Sequence, residues 1–290
     1  MRIAVVGGGI GGVALAAALH RLRLSCVVFE QAEGLRAVGY GLTLQRNAVA
    51  ALDTIGIGQR VRSQGLSMSS AQIRQPSGRV LAAARVDLCA IHRATLLAAL
   101  AAELPAGTFH LGTRIESLPE ADLVVAADGL HSQFRASVAP GEPGVRDSGY
   151  TAWRGLAART PEMDAAIAEG VVSETWGRGT RFGIVPIDGE RIYWFAVAPV
   201  QPFHNQHQAH AFLAARFADW HAPVPVLIEA TPPEAILESR IVDRLPIARW
   251  HRDRLILLGD SAHPMTPNLG QGGCQAIEDA VVLAHLVRAV

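Results

Sequence analysis

The chain has 290 residues, half of them apolar, enough for a sizeable core in one large domain or two. Its 26 basic and 26 acidic side chains cancel, so neither nucleic acid nor an anionic membrane surface is an expected partner. Three scattered cysteines (Cys26, Cys89, Cys274), an N-terminus that runs straight into a strand pattern, and no apolar run of bilayer length point to a reduced, cytoplasmic protein.

The first element is the apolar run Ile3-Ala4-Val5-Val6, followed by a glycine cluster, an alanine- and leucine-rich helical stretch to Leu22, and a second apolar run ending at Glu30. This is the pattern strand, tight turn, helix, strand. Gly7, Gly9 and Gly12 fall on G-x-G-x-x-G: the first for the turn out of the strand, the second for approach of a pyrophosphate, the third for close packing of helix on sheet. The helix start offers free N–H groups and a positive dipole end to phosphates. Glu30, closing the second strand, is placed to accept the hydroxyls of an adenosine ribose and would repel a 2′-phosphate, so FAD or NAD is expected rather than NADP.

Further on, residues 39–44 read as a loop entering a short strand, and residues 47–52 start a helix that the Gly56 and Gly58 pair ends. Residues 68–87 alternate around Pro76-Ser77-Gly78, a hairpin signal that leaves the nucleotide sheet for another. His92-Arg93 opens a helix over 94–103; from local sequence alone Arg93 reads as a solvated helix-start arginine. The run 122–129 is a buried strand ending in Asp128-Gly129, with Ser132 and Arg135 beyond it; it is either a ligand-binding strand end or a plain turn.

Residues 144–245 change character. Short strand patches at 150–156, 171–176, 182–186 and 191–198 alternate with turns, Asp188-Gly189 marks a hairpin, and a helix is expected over 207–220. His204, His207 and His210 lack carboxylate or cysteine partners, so no metal is expected. On the 180–198 hairpin, Tyr193 and Phe195 share one face and Trp194 takes the other. From local sequence alone, Arg181 reads as a solvated edge residue and Tyr193 as a core filler. Finally, a buried strand at 254–258 ends in Gly259-Asp260, and Gly270, Gly272 and Gly273 precede a helix carrying Glu278 and Asp279. They form a second anion-accepting turn that also admits a flat ring.

Taken together, the stretch Gly7-x-Gly9-x-x-Gly12 with Glu30, the run Asp122 to Asp128-Gly129-x-x-Ser132-x-x-Arg135, and Gly259-Asp260-Ser-Ala-His263-x-x-x-Pro267-x-x-Gly270-x-Gly272 resemble the group A FAD-dependent aromatic hydroxylases, the p-hydroxybenzoate hydroxylase-like flavoprotein monooxygenases. The wording Gly-Gln-Gly-Gly-Cys-Gln-Ala at 270–276 is closest in flavour to FAD-dependent urate hydroxylases, and is also similar to zeaxanthin epoxidases. Relative to that pattern, the insertion before Asp122 is short and the helical tail beyond Val290 is missing.

The resemblance implies an α/β fold: a Rossmann-like FAD-binding domain (1–65, 91–143 and 246–290) and a mostly antiparallel substrate domain (66–90 and 144–245). It implies tightly bound, non-covalent FAD held by Gly7, Gly9, Gly12, Glu30, the adjacent Gln31, Arg93, Asp128, Asp260, Pro267, Gly270, Gly272 and Gly273. NADH or NADPH would dock transiently as reductant. A flavin C4a-hydroperoxide, formed with O2, would hydroxylate a small aromatic or heteroaromatic substrate. Arg181 and Tyr193 match the urate hydroxylase residues that hold the substrate, which would suit a planar, anionic or enolisable ring in a forked contact with Arg181. A homodimer is the candidate assembly. An epoxidase, a reductase on the same fold, or a truncated non-catalytic flavin-binding protein are the alternatives.

Overall fold

The computed structural model describes residues 1–35, 40–201, 203 and 205–289. Six strands make one sheet: β1 (Ile3–Val6), β2 (Cys26–Phe29), β6 (Phe109–His110), β7 (Leu123–Ala126), β13 (His251–Arg252) and β14 (Leu255–Leu257), in the order β13-β14-β7-β1-β2-β6. All pairs but β13 with β14 are parallel. All four residues of β1 are buried, as expected of a central parallel strand covered on both faces. The register places Val6 beside both Phe29 and Ala126, and Ala126 beside Leu257. Four segments, beginning at Gly7, Glu30, Ala127 and Leu258, therefore leave the sheet at one edge, the carboxyl end where open α/β sheets bind ligands.

The covering helix Ile10–Arg21 is alanine-rich and buried along most of its length. It packs on the last helix, Gly272–Arg288, in a core that includes Val13, Leu15, Leu19, Ile277 and Val281. Glycine makes that contact close: a Cβ on Gly11 would stand 2.6 Å from a Leu258 methyl and 3.3 Å from the Ala276 Cβ.

Eight strands make the second sheet: β3 (Gly41–Gln45), β4 (Leu66–Arg74), β5 (Val80–His92), β8 (Val145–Ala158), β9 (Val171–Trp176), β10 (Arg181–Pro186), β11 (Arg191–Pro199) and β12 (Leu237–Arg244). The order is β12-β8-β11-β10-β9-β4-β5-β3, antiparallel throughout except where β4 meets β9. Trp153, Phe182 and Trp194 on one face pack with Leu213, Phe217 and Leu227 of the helices Gln206–Phe217 and Val224–Glu229. The opposite face carries Arg181, Tyr193 and Phe195.

Two local features differ from the sequence reading. The strand at 41–45, grouped there with the nucleotide half, hydrogen-bonds to β5 in the second sheet, since its partners Leu88 to His92 lie in a strand long enough to serve both halves. The helix Arg46–Thr54 ends before Gly56, at φ +71°, but Gly58 starts a further helix, Gly58–Gln64, instead of only closing the first. Gly39, His204 and Val290, named in the sequence reading, lie outside the described residues. Among the described residues, no helix is long and apolar enough to cross a membrane.

Candidate functional site

A cavity of about 720 Å³ lies between the carboxyl edge of the first sheet and the face of the second that carries Arg181. The glycine turn forms part of its wall. Gly7 sits at φ +112°, where a Cβ would fall 2.2 Å from the Ala127 carbonyl oxygen, and a Cβ on Gly12 would fall 2.0 Å from that of Gly7. Gly9 differs: a Cβ there meets no protein atom within 4 Å. Its missing side chain leaves room on the cavity side, as a cradle for a bound group requires. Gly9 is the N-cap of the helix Ile10–Arg21 and brings no side-chain cap, so N–H groups at this helix start are left for a ligand.

The last helix begins at the same cavity. Pro267–Leu269 forms a single 3-10 turn, Gly270 takes the left-handed conformation at φ +63°, and Gly272 and Gly273 open the helix without a side-chain cap. A Cβ on Gly273 would stand 3.6 Å from Ile10 Cδ1. Two positive helix ends thus lie side by side on one cavity wall.

Three acids surround this wall. Glu30 accepts the Gly8 N–H at 2.7 Å through Oε2 and the Ala32 N–H at 2.8 Å through Oε1, so its carboxylate also clamps the glycine turn. Gln31 is exposed at the bend after it. Asp260 lines the cavity; burial pushes its carboxyl above the ordinary aspartate value, while His263 and Arg93 pull it back. Asp128 is turned away from the cavity, accepting from Ser261 Oγ at 3.0 Å and the Gln133 N–H at 3.1 Å. Its neighbours Ala127 and Gly129 line the cavity instead. The fully buried Arg135 donates to the carbonyls of Ser261 at 2.9 Å and Ala262 at 2.5 Å, so the Asp-Gly and Gly-Asp segments are tied into one frame.

Arg93 lines the cavity at the start of the helix Arg93–Ala101, its N–H bonded to the Tyr40 carbonyl at 3.1 Å. Arg181 and Tyr193 also line the cavity, the first half-buried and the second buried. Tyr193 stacks on Tyr40 with ring centroids 5.8 Å apart, and burial holds its hydroxyl well above the usual range. Cys274, buried beneath the loop, accepts the Gln45 N–H at 3.4 Å. Burial raises all three thiols, Cys26 to about 11, which keeps them from acting as thiolates near neutral pH.

Several residues of the site carry no local sequence signal. Glu174 and Asn268 bind the Arg181 guanidinium, each at 3.0 Å. The Arg154 guanidinium lies 4.8 Å from the Tyr40 ring centroid. Strand alternation in 171–176 was the only cue for Glu174. Of the histidine set, His210 Nε2 is 3.1 Å from the Ile228 carbonyl and His207 is exposed. Among the described residues, no group of three His, Cys, Asp or Glu side chains is arranged to hold a metal ion.

The donor set fits FAD: helix-start N–H groups and open space at Gly9 for a pyrophosphate, a carboxylate, Glu30, at the end of the neighbouring strand, and a second glycine turn where a flat ring can approach. Two families match the chain, described as FAD binding domain over residues 113–290 and NAD(P)-binding Rossmann-like domain over residues 5–44. The chain is 39% identical to the aurachin C monooxygenase/isomerase of Stigmatella aurantiaca, over 98% of this chain and 80% of that protein. It is 31% identical to the FAD-dependent urate hydroxylase of Klebsiella pneumoniae, over 99% of this chain and 82% of that one. The crystal structure of Klebsiella pneumoniae HpxO complexed with FAD and uric acid superposes with a TM-score of 0.90 at 28% identity, covering 100% of this chain and 80% of that one.

Proposed function

The chain belongs to the FAD-dependent, aromatic hydroxylase-like monooxygenases, and from that premise we propose that it uses NADH or NADPH and O2 to hydroxylate a small aromatic or heteroaromatic ring. The observation that carries this reading is the cavity itself. The two helix starts meet on one wall, and the sheet face with Arg181 and Tyr193 forms the other. When bound, FAD supplies hydride acceptance and the activation of O2.

The chain's own residues do the rest. The N–H groups beside Gly9 and Gly11 would hold the pyrophosphate, Glu30 the adenosine ribose and Asp260 the ribitol side, while Gly270, Gly272 and Gly273 would admit the flat ring close to backbone. Arg93 offsets negative charge near Asp260. The sheet face would orient the substrate ring and exclude water from the cavity, with Arg181 and Tyr193 as the orienting pair. A second Rossmann unit is not needed for a nicotinamide that docks only transiently.

The test begins with the absorbance spectrum of the purified protein, then reduction by NADH and by NADPH, then ring-dependent O2 uptake with product identification. A flavin spectrum that bleaches with one nicotinamide, with oxygen consumed on addition of a ring substrate, is the expected result. A colourless protein that takes up no FAD, or a flavin that no nicotinamide reduces with any ring present, overturns the reading.

A further inference from the structure

Arg181 does not face the cavity as an isolated cation. Its Nη1 donates to Glu174 Oε1 at 3.0 Å and its Nη2 to Asn268 Oδ1 at 3.0 Å. The Glu174 and Arg181 side chains are 24% and 25% exposed, so the pair is largely shielded from water. The register of β9 on β10 sets Glu174 opposite Gly183, two residues from Arg181 on the same face, and both charged residues line the cavity.

We propose that Glu174 is a specificity-determining residue: with Arg181 it presents an adjacent acceptor and donor that select a neutral ring bearing a lactam edge, N–H beside C=O, and reject a ring anion. The inference rests on the monooxygenase reading for the presence of a ring in this cavity. A lone guanidinium would draw a carboxylate or enolate into a forked contact. Here a carboxylate already cancels its charge. An incoming anion must either sit beside Glu174 or displace it and leave a shielded carboxylate unpaired, and both outcomes are repulsive. A lactam meets no such penalty. Its C=O accepts from the guanidinium, which has donors to spare, and its N–H donates to the Glu174 carboxylate.

The other cations of the cavity are engaged elsewhere. Arg154 lies over the Tyr40 ring and donates to Ser239 Oγ at 2.5 Å. Arg93 lines the cavity just past the end of β5 and interacts with Asp260. Beyond Glu174, the same face continues through Val172, Ile73 and Ala71, which offer no charge to an anion.

The test uses the FAD-loaded protein and reads ligand binding from perturbation of the flavin absorbance, independently of turnover. The probes are 2(1H)-quinolone, a neutral lactam, and quinoline-2-carboxylate, an anion on the same bicycle. The wild-type protein is expected to bind the lactam at least about tenfold tighter. In Glu174→Gln that preference falls by roughly tenfold to a hundredfold, the factor that about 1.5–3 kcal/mol for a charged hydrogen bond corresponds to. Tighter binding of the carboxylate by the wild type, a flavin that responds to neither probe, or an unchanged ratio in Glu174→Gln overturns the proposal. The wild-type comparison decides even if the variant fails to load FAD. Oxygen uptake with an anionic ring, but no lactam preference, sinks the proposal and leaves the monooxygenase reading standing. Lactam preference in a protein that no nicotinamide reduces does the reverse.

Discussion

Asp279 Oδ2 sits 2.6 Å from His263 Nε2 and, through the same oxygen, accepts the Gly259 N–H at 3.1 Å. One carboxylate on the last helix thus fixes both ends of the segment that presents Asp260. Burial alone would lower the His263 imidazole, but the hydrogen bond and negative charge of Asp279, with Asp260 adding to them, raise it above its ordinary value. A raised folded value makes the pair's contribution complete below the unfolded imidazole value of about 6.5, and lost as pH climbs through the folded one. Thermal midpoints of the wild-type protein are therefore expected to decline across that window. Asp279→Asn, which keeps the shape and the Gly259 contact, is expected to cost on the order of 1.5–3 kcal/mol at lower pH and to flatten the decline. Parallel pH profiles for the two proteins would refute this account of the pair.

The glycines of the first turn are expected to separate by function. Gly12→Ala forces a Cβ to within 2.0 Å of the Gly7 carbonyl oxygen, and that oxygen is backbone that cannot step aside. Overpacking of this kind costs about 1–3 kcal/mol or more, so the variant is expected to melt early. Gly9→Ala meets no protein atom and is expected to fold with an unchanged melting temperature while losing flavin, because the added methyl occupies the ligand's side of the turn. Equal flavin retention by Gly9→Ala and wild type after dialysis would mean that the phosphates lie elsewhere.

Glu30 holds the Gly8 and Ala32 N–H groups in the structure, and the proposed function gives it the ribose as well. Glu30→Ala therefore loosens the turn and removes the ribose acceptors together. Glu30→Gln keeps one amide oxygen for the backbone but turns an NH2 toward the other N–H, so it removes the charge while loosening the turn less than alanine does. Its FAD dissociation constant is expected to rise roughly tenfold to a hundredfold, as about 1.5–3 kcal/mol of charged hydrogen bonding implies, with a smaller fall in the flavin-free melting temperature than in Glu30→Ala. Equilibrium titration of flavin fluorescence measures it; an unaltered constant would remove Glu30 from the cofactor site.

What the sequence made legible is local. The run Ile3 to Val6, the glycine spacing and the terminal Glu30 follow from strand and helix periodicities within thirty residues, and the structure builds them as a parallel pair around a glycine turn. The hairpin at 181–199 was readable for the same reason, since Asp188-Gly189 closes it and alternation divides its faces. What stayed hidden depends on contacts far apart in the chain. The pairing of 41–45 with 88–92 is set by tertiary packing, as is the Asp128 hydrogen bond to Ser261, 133 residues away. Glu174 belongs here too: in sequence it is one acid in a strand patch, and only the register of β9 on β10 brings it to Arg181.

Arg181 also bridges the two walls of the cavity, since Asn268 belongs to the Pro267–Leu269 turn at the start of the second glycine loop. Replacing it with glutamine removes a cationic donor from the cavity and unties the sheet from that turn, but leaves Glu30, Gly9 and the helix starts untouched. Arg181→Gln is therefore expected to keep normal FAD content and normal reduction by the nicotinamide in the absence of ring substrate. On the proposed orienting role of Arg181, KM is expected to rise about tenfold or more, and kcat/KM to fall with it, since a contact made both before and during oxygen transfer would be lost. If the untied turn lets the ring sit out of line, a part of the reducing equivalents is also released as hydrogen peroxide, which a peroxide assay run beside oxygen uptake detects. The comparison with Tyr193→Phe isolates the geometric share: that variant keeps the stacking on Tyr40 and loses only a hydroxyl. A smaller rise in KM with unchanged coupling is expected of it. Wild-type kinetics in Arg181→Gln would place the ring on some other part of the sheet face and would remove Arg181 from substrate binding.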